Sequence, residues 1–322
     1  MNEIFKGKKI FITGAGTIGS ALLKQILKYD VHTVRIFDNC ELKLHDLKQI
    51  YRENKKVKLL LGDIRDKQRL KIAMRDVDIV FATAALKHVS FCEENPIDAI
   101  ATNVIGTQNL IEACIEENVE YMVNISTDKA VSPINVMGAT KLVGERLVVS
   151  AANYKGKCKT IFSSVRFGNV AGSSGSVIQI FDTQIKNNKP LTITDREMTR
   201  FIIKCDDAIN LILETIKLSR GQEIFVLNMS SLKIMDLASL MNKNNNPIQI
   251  IGPIKGEKIH EELFTKEESG IIMQKGNLLV IPPLESIDYY KEIGFVHINK
   301  GAYSSEDNLM DIKVLREYLD LI

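Results

Sequence analysis

Short apolar runs alternate with amphipathic helical patterns through the N-terminal half of the chain. The runs predict buried strands at residues 9–13, 33–37, 57–61, 78–82, 121–125 and 160–166. Helical periodicity between them predicts helices at 20–29, from 65, at 96–118 and at 136–154, and later patterns predict a helix at 206–218 and a strand at 223–227. Strands that alternate with helices in this way indicate βαβ units, so the predicted fold class is α/β with a doubly wound parallel sheet.

The first strand leads into a glycine-rich turn and then into a helix. This turn, Gly14-Ala15-Gly16-Thr17-Ile18-Gly19, has the G-x-G-x-x-G spacing, in the strand–turn–helix context that a dinucleotide fingerprint requires. Asp38 ends the second strand 19 residues after the last glycine (38 − 19), where a carboxylate can accept hydrogen bonds from an adenosine ribose. The same charge repels a 2′-phosphate, so we expect NAD rather than NADP, bound by a Rossmann-type domain.

Two further strand ends carry candidate cofactor residues. Asp63 and Ile64 follow the third strand and could hold the adenine, although Asp63 could instead cap a helix that begins near Arg65. Small residues after the fourth strand, Ala84 and Ala85, allow a cofactor to approach the backbone. The residues expected to bind the cofactor are Gly14, Gly16, Thr17, Ile18, Gly19, Asp38, Asn39, Asp63, Ile64, Ala84, Ala85, Lys87, Asn103, Ser126 and Lys141.

The regular alternation of strands and helices ends at the glycine- and serine-rich residues 167–176. We therefore predict an NAD-binding domain at 1–170, to which the chain returns at about 206–228, and a smaller C-terminal substrate-binding lobe at 171–205 and 229–322. Within that lobe, residues 189–195 read as part of an extended hairpin, and the remainder as short helices and loops.

The stretch after the fifth strand carries the most reactive groups. Ser126-Thr127-Asp128-Lys129 lies where the strand ends, at the edge of a parallel sheet where ligands bind. Asp128 and Lys129 can exchange protons if their surroundings separate their pKa values. Met137 and Lys141 follow on one face of the next helix, one turn apart. The alternative is an exposed turn with a solvated ion pair.

Composition limits the remaining classes of function. The formal net charge is +2, and 45% of the residues are hydrophobic, so neither nucleic acid nor a membrane surface is an expected partner. The five cysteines have no metal-ligand spacing, which predicts no metal site and fits a reducing compartment. With no apolar leader and no long apolar run, we expect a cytoplasmic protein. The helix at 96–118 has apolar positions on a second face, which suggests a homodimer or a higher homo-oligomer.

Taken together, these motifs resemble the extended short-chain dehydrogenase/reductases, and in particular the nucleotide-sugar 4,6-dehydratases of polysaccharide biosynthesis. The segments that carry the resemblance are residues 84–89, 126–129, 137–141, 166–170, 193–195, 198–201 and 258–262. The superfamily's Tyr-x-x-x-Lys motif has Met137 in the tyrosine position. This departure resembles the branch that uses NAD and retains the configuration at carbon 5. Family members act on UDP-N-acetylglucosamine, and a related branch for legionaminic acid uses the GDP-linked sugar.

The resemblance implies roles for individual residues. Lys129 would be the base at carbon 5, which requires a lowered pKa. Asp128 would protonate the leaving hydroxyl, Thr127 would bind the sugar, and Lys141 would hold the nicotinamide ribose. A thioether cannot take the proton of the carbon 4 hydroxyl, which leaves Asp128 or a bound water for that step. The residues implied to bind the substrate are Lys87, His88, Asn169, Ser173, Val177, Thr192, Arg200 and Glu261.

Two other functions fit the sequence. A nucleotide-sugar 4-epimerase shares the fold and cofactor but needs no elimination of water. An NAD-binding sensor without catalytic activity would explain the missing tyrosine, but it would not need Asp128, Lys129 and Lys141.

Overall fold

A computed structural model describes residues 1–173 and 175–320 of the chain. Ser174, in the glycine- and serine-rich loop, and residues 321–322 lie outside the described residues. Within those limits, no helix is both long and apolar enough to cross a membrane.

A ten-stranded sheet forms the centre of the molecule, in the order β16-β14-β15-β10-β6-β5-β4-β1-β2-β3. Its strands are β1 Lys9–Thr13, β2 Thr33–Asp38, β3 Val57–Leu61, β4 Ile79–Ala82, β5 Tyr121–Ile125, β6 Ile161–Arg166, β10 Ile224–Leu227, β14 Met273–Lys275, β15 Leu278–Ile281 and β16 Val296–His297. Seven adjacent strands pair in parallel, in the spatial order β10-β6-β5-β4-β1-β2-β3, which confirms the doubly wound parallel sheet. The return of the chain at β10, next to β6, also agrees with the sequence prediction.

Helices cover both faces of this sheet, and α9, α11 and α14 pack in a separate core beside the smaller sheets. The helices of the described chain are α1 Asn2–Phe5, α2 Thr17–Ile26, α3 Glu41–Ile50, α4 Lys67–Met74, α5 Val89–Glu94, α6 Pro96–Ile100, α7 Thr107–Glu116, α8 Val136–Ser150, α9 Val177–Lys186, α10 Cys205–Leu218, α11 Ile234–Met241, α12 Lys266–Ser269, α13 Ile287–Glu292 and α14 Ile312–Asp320. Along β1, Ile10 and Ile12 pack into one core with α2 and α10, whereas Phe11 packs into the other with α4 and α7. Burial on both faces explains why the central strand β4 is apolar throughout rather than alternating, whereas the edge strand β3 is only partly buried.

The long helix predicted at 96–118 is present but is not uniform. Residues 101–106 form a π-helical segment between α6 and α7. Helix α2 begins at Thr17, three residues earlier than predicted, so that the fingerprint supplies its first turn. Helix α4 begins at Lys67 with Asp66 as its N-cap, so the alternative role of Asp63 as a cap is wrong.

Apart from the extended piece at 189–195, strands outside the parallel part of the sheet were not expected from the sequence. Strands β14, β15 and β16 continue the main sheet in antiparallel pairing, although their residues fall within the predicted substrate-binding lobe. The boundaries of the two lobes stay a prediction.

Smaller sheets form next to the main one. They contain β7 Asn169–Val170, β8 Leu191–Ile193, β9 Thr199–Ile203, β11 Ser231–Lys233, β12 Ile248–Ile250, β13 Glu262–Phe264 and β17 Tyr303–Ser304. The predicted extended piece at 189–195 contains a strand, β8, but the predicted hairpin is wrong, because β8 pairs in parallel with the distant β12.

Candidate active site

Strand β5 ends at the carboxyl edge of the sheet, and the predicted reactive residues 126–129 follow directly there. Residues Asp128–Ala130 form a single 3₁₀ turn, and the side-chain oxygen of Thr127 accepts a hydrogen bond from the Lys129 N–H at its start. Helix α8 packs directly against this turn. The contact is so close that a Cβ added at Gly138 would lie only 2.2 Å from the carbonyl oxygen of Lys129. Glycine at that position therefore lets the helix seat directly on the turn.

Asp128 is completely buried in this turn. Its Oδ1 accepts hydrogen bonds from the Thr127 hydroxyl at 2.9 Å and from the Lys129 ammonium at 3.0 Å. Its Oδ2 has no hydrogen-bond partner in the described part of the chain. The expected alternative of an exposed turn with a solvated ion pair is therefore wrong. A buried carboxyl oxygen without a hydrogen-bond partner lowers stability unless a ligand or water donates a hydrogen bond to it.

Lys129 joins residues that are far apart in the sequence. Its Nζ lies 3.3 Å from Asn169 Oδ1 and 3.3 Å from Glu261 Oε1, in addition to its contact with Asp128. Glu261 is 2% exposed, and its Oε2, like Asp128 Oδ2, has no partner among residues 1–173 and 175–320. The site thus contains two buried carboxyl groups, one on each side of a single ammonium. We call Asp128, Lys129 and Glu261 the carboxyl–lysine cluster.

The pKa values in this cluster differ from what the sequence led us to expect. Burial alone would lower the pKa of Lys129, but the carboxylates of Asp128 and Glu261 outweigh it, so this pKa is raised. The lowered pKa that a lysine base requires is therefore not found. Burial raises the pKa of Glu261, which the Lys129 charge only partly offsets.

Helix α8 places Met137 and Lys141 beside this turn. Met137 is buried in an apolar cluster with Cys92 and Ala99, so no proton-accepting group occupies the usual tyrosine position. Lys141 Nζ donates a hydrogen bond to the carbonyl oxygen of Ile125, at the end of β5. Burial lowers the pKa of Lys141 to about 8, so this lysine is mostly charged at neutral pH.

An ionic network holds α8 against the sheet and the C-terminal region. Arg166, at the end of β6 and 1% exposed, makes two hydrogen bonds to the Glu145 carboxylate at 2.8 and 2.6 Å. It makes two more, both at 2.8 Å, to Glu268. Burial alone would lower the pKa of Arg166, but these carboxylates raise it. The network links the helix that carries Lys141 to the segment that follows Glu261.

The glycine fingerprint has the geometry that a dinucleotide needs. Gly14 has φ +88°, a conformation that favours glycine. A Cβ at Gly19 would lie 1.9 Å from the Gly14 carbonyl oxygen, whereas a Cβ at Gly16 would meet no atom within 4 Å in the described structure. Gly16 therefore opens onto free space at the N-terminus of α2, where Thr17 and Ile18 form the first turn. A pyrophosphate fits such a helix terminus.

The predicted adenosine residues lie together at the ends of β2 and β3. Asp38 accepts hydrogen bonds from the N–H groups of Ala15 and Cys40, which ties it to the glycine turn. Asn39 donates to Asp63 at 3.1 Å. Burial alone would raise the pKa of Asp63, but its bonds to Arg65 and Asn39 lower it, so this carboxylate is charged. Ile64 is buried, and its side chain packs where Gly106 has no Cβ. These residues fit NAD, with Asp38 placed for a ribose.

Replacing Gly16 by alanine separates binding of the cofactor from folding. Because its backbone is extended (φ −80°) and the space beside it is open, the cost of Gly16→Ala comes from the poorer N-cap that alanine provides, and we expect the free energy of unfolding without cofactor to fall by no more than about 1 kcal/mol. The new methyl group would occupy the space in which the pyrophosphate would bind, so we expect NAD affinity to fall at least about tenfold. Calorimetric titration with NAD and urea unfolding measure the two effects. Gly19→Ala should instead destabilise the protein without cofactor. An unchanged NAD affinity in Gly16→Ala would contradict the assignment of Gly16 to the pyrophosphate site.

Other predicted cofactor residues support the site in different ways. The Asn103 amide bonds to both the N–H and the C=O of Leu86, at 2.9 and 3.0 Å, and to the Thr140 hydroxyl. Asn103 therefore fixes the segment after β4 to α8. The N–H of Ala84 bonds to Thr13, and Ala85 is partly exposed beside it. Ser126 Oγ is buried and has no partner among the described residues.

The predicted substrate residues divide into two groups. Asn169 and Arg200 lie at the carboxyl–lysine cluster. Arg200 is 7% exposed and donates only to the backbone carbonyls of Thr199 and Ile259. Among the described residues Arg200 forms no ion pair with Asp195 or Glu197, and Glu197 pairs with Lys233. In the described structure Arg200 is thus a buried cation without a carboxylate in direct contact.

The second group lies along the loop and strands that follow β7. The His88 ring lies where a Cβ at Gly175 would come within 2.7 Å of its Cε1. Burial, and then the neighbouring Lys87, lower the pKa of His88, whereas burial and then Lys43 lower that of Lys87. Ser173 donates its N–H to Val170, and Val177 begins α9. Thr192 bonds to Gln184 and joins β8 to α9. None of these contacts involves the carboxyl–lysine cluster.

Sequence reasoning missed two features of this site. Glu261 was assigned to the substrate without its direct contact to Lys129, and the network around Arg166 was not recognised. One local signal was available for the network: Thr265 and Glu268 have the spacing of a capping box, which the structure contains.

Comparisons with known proteins place this site in a family. The family model described as "Polysaccharide biosynthesis protein" matches residues 10–283. The chain is 44% identical, over 95% of its length and 93% of the relative's, to a Methanocaldococcus jannaschii protein named as an uncharacterized membrane protein. It is 38% identical to a Campylobacter jejuni UDP-N-acetylglucosamine 4,6-dehydratase (inverting), over 99% of this chain and 98% of the relative. It is 37% identical to a Rickettsia bellii UDP-glucose 4-epimerase, with the same coverage.

A solved structure supports the same placement. The crystal structure of Pen from Bacillus thuringiensis is 39% identical and superimposes with a TM-score of 0.93, over 99% of this chain and 98% of that one. Its agreement extends over nearly all of both chains, beyond the dinucleotide-binding half that many unrelated enzymes share. The chain therefore belongs to the polysaccharide biosynthesis protein family, whose members resemble it from the glycine fingerprint to the segment that carries Glu261.

Proposed function

We propose that this protein is an NAD-dependent nucleotide-sugar 4,6-dehydratase that acts on nucleotide-linked N-acetylglucosamine, with UDP as the carrier. The observation that carries the proposal is the carboxyl–lysine cluster at the sheet edge, close to a dinucleotide fingerprint. Loss of water needs a proton donor and a proton acceptor held near the sugar. Both buried carboxyl groups in the cluster have an oxygen without a partner in the described structure. The name of the C. jejuni relative supports the same reaction and the UDP carrier.

NAD would supply the redox chemistry by accepting a hydride from sugar carbon 4 and returning one at carbon 6. The fingerprint glycines and Asp38 would hold its pyrophosphate and adenosine ribose, and Lys141 its nicotinamide ribose. Because the Lys141 pKa is about 8, its charge is present at neutral pH. Such cofactor use is redox-neutral overall, so the cofactor can stay bound between turnovers.

Asp128 can handle two proton transfers in sequence. Its free Oδ2 would accept the proton of the carbon 4 hydroxyl, a step that the Met137 thioether cannot perform. The same carboxylic acid would then protonate the carbon 6 hydroxyl as it leaves. The proton that Asp128 gives to the released water is therefore the one that it took from the carbon 4 hydroxyl. Thr127, bonded to Oδ1, would orient the carboxyl group and contact the sugar.

Arg200 would bind the diphosphate of the substrate. In the described structure this buried guanidinium donates to backbone carbonyls and has no carboxylate in direct contact, so a diphosphate would supply a directly bound anion. Asn169, beside Lys129, would contact the sugar or the adjacent phosphate. His88, Ser173, Val177 and Thr192 stay predictions as substrate-binding residues, as does Lys87.

The proposal also includes the configuration at carbon 5 of the product. The resemblance based on Met137 implies retention at carbon 5, whereas the C. jejuni relative carries the word inverting in its name. We propose retention, because Met137 is buried in an apolar cluster and offers no second proton donor at the tyrosine position. Proton NMR of the product distinguishes the two configurations. The product would serve surface-glycan or nonulosonic acid synthesis.

A 4-epimerase is the second candidate, favoured by the name of the R. bellii relative. Epimerisation needs neither proton transfer at carbon 5 nor loss of water. Incubation with UDP-N-acetylglucosamine and with its GDP-linked analogue, followed by mass spectrometry, tests both candidates. A product lighter by one water supports the dehydratase. A product of unchanged mass with inverted carbon 4 would overturn it.

We also propose that a second copy of the chain covers the helix from α6 to α7. Ile97 and Ile105 on that helix are 74% and 50% exposed, which agrees with the second apolar face predicted from the sequence. Light scattering measures the mass in solution, and a monomer at micromolar concentration would contradict this contact.

A further inference from the structure

We propose that Glu261 removes the proton from carbon 5 of the sugar and later returns it. This assignment rests on the dehydratase function proposed above, and it replaces Lys129 as the carbon 5 base. Glu261 therefore becomes a catalytic residue in direct contact with the substrate, rather than a binding residue only.

The position of Glu261 is the first observation that supports this role. The residue precedes β13, and its backbone is tied on both sides to Ser305, whose hydroxyl accepts from the Glu261 N–H at 3.0 Å. One carboxylate oxygen contacts Lys129 at 3.3 Å, and the other is buried without a partner among the described residues. A carboxylate fixed in this way presents one oxygen to a ligand that enters the cluster.

The surroundings of Lys129 are the second observation. Its ammonium has three oxygen neighbours, one each from Asp128, Asn169 and Glu261. An ammonium enclosed by two carboxyl groups keeps its proton and so cannot accept another. The same positive charge is well placed to stabilise the enolate oxygen that forms at carbon 4 when the carbon 5 proton leaves.

Charged groups around Glu261 tune its carboxyl group for proton transfer. Burial raises its pKa most, Lys129 lowers it, Asp128 raises it, and Arg200 and Lys258 lower it. The net direction is upward, towards the range in which a carboxyl group can both take and give a proton at neutral pH.

The two carboxyl groups balance the protons of the whole reaction. After oxidation at carbon 4, the carbon 5–hydrogen bond breaks, its electron pair forms the enolate, and the proton goes to Glu261. The carbon 6–oxygen bond then breaks as the enolate electrons form the carbon 5–carbon 6 double bond, and Asp128 gives its proton to the departing hydroxyl. Once carbon 6 has been reduced, Glu261 returns its proton to carbon 5. Because one group removes and returns the proton on one face, the configuration is retained.

Glu261→Gln tests the assignment in the full chain. Glutamine keeps the size of the side chain and can still accept from Lys129, but it cannot take a proton. We expect kcat for UDP-N-acetylglucosamine dehydration to fall about 10²–10⁴-fold, with the Kd of UDP within about threefold and the melting temperature unchanged. Glu262→Gln, the adjacent residue on β13, is the matched control and should behave as the wild type.

A pH–rate profile separates Glu261 from Lys129 as the base. If Lys129 were the base, removing an anionic neighbour would lower its pKa, so Glu261→Gln would keep its activity and shift the profile to lower pH. That result would overturn the assignment while leaving the dehydratase function intact. A wild type that yields only the carbon 4 epimer would overturn both, since epimerisation requires no acceptor at carbon 5.

Discussion

Asp128→Asn is expected to abolish dehydration while leaving NAD bound. Both proton transfers assigned to Asp128, from the carbon 4 hydroxyl and to the carbon 6 hydroxyl, need a group that can gain and lose a proton. An amide does neither, so we expect kcat to fall by at least about 10³-fold. Asparagine nearly matches the size of the native side chain, and its carbonyl can still accept from Thr127 and Lys129, which lie 2.9 and 3.0 Å from Oδ1.

Cofactor and product are measured separately in this experiment. The NAD released on denaturation should equal that of the wild type, because the fingerprint and Asp38 lie at other strand ends. Product is followed by mass spectrometry as the species lighter by one water. Asp182→Asn, which alters a half-exposed carboxylate on α9, should leave both quantities unchanged. Near-normal turnover in Asp128→Asn would remove this residue from the mechanism.

The parallel part of the sheet could be predicted from sequence because its signals are local. Apolar runs, glycine spacing and the acid after β2 each lie within a few residues of one another, and they predicted β1 to β6 within one or two residues. Strands β14 and β16 carry no comparable signal, and the apolar run of β15, Leu278–Ile281, does not indicate its antiparallel partner. These strands are two to four residues long and pair in antiparallel fashion with strands that themselves lie at the end of the sheet. Their place depends on tertiary contacts rather than on local preference.

The candidate site shows the same difference between features that follow from local sequence and features that depend on tertiary contacts. Thr127, Asp128 and Lys129 are adjacent in sequence, so their proximity follows from one strand end. The contact between Lys129 and Glu261 joins residues 132 positions apart (261 − 129), and no spacing rule predicts it. The carboxylates of Asp128 and Glu261 together raise the Lys129 pKa against the effect of burial, and the position of the second carboxylate could not be read from the sequence. The π-helical segment at 101–106 has no recognised sequence pattern either.

Arg166→Ala is expected to cause the largest loss of stability among single substitutions in this region. Arg166 and Glu145 are 1% and 0% exposed, and the variant leaves the Glu145 carboxylate buried without its cation. Loss of one partner of a buried ion pair costs about 3–5 kcal/mol in free energy of unfolding. The midpoint of urea unfolding measures it. Because the network holds α8, Lys141 should also be displaced, and kcat should fall even where the variant is still folded.

Arg146→Ala provides the matched control for that loss. Arg146 contacts the same Glu268 carboxylate at 3.5 Å, but its side chain is 57% exposed, so removing it should cost less than about 1 kcal/mol. Acid supplies a second check. Burial alone would raise the pKa of Glu268, but its bonds to Arg166 lower this pKa. The contribution of the Glu268 carboxylate to stability is therefore complete at a pH above the usual pKa range of glutamate, and it is lost as the pH falls below that range. The stability difference between the wild type and Arg166→Ala should therefore shrink in acid, and a difference that stayed constant down to low pH would show that packing, rather than the ion pairs, fixes this arginine.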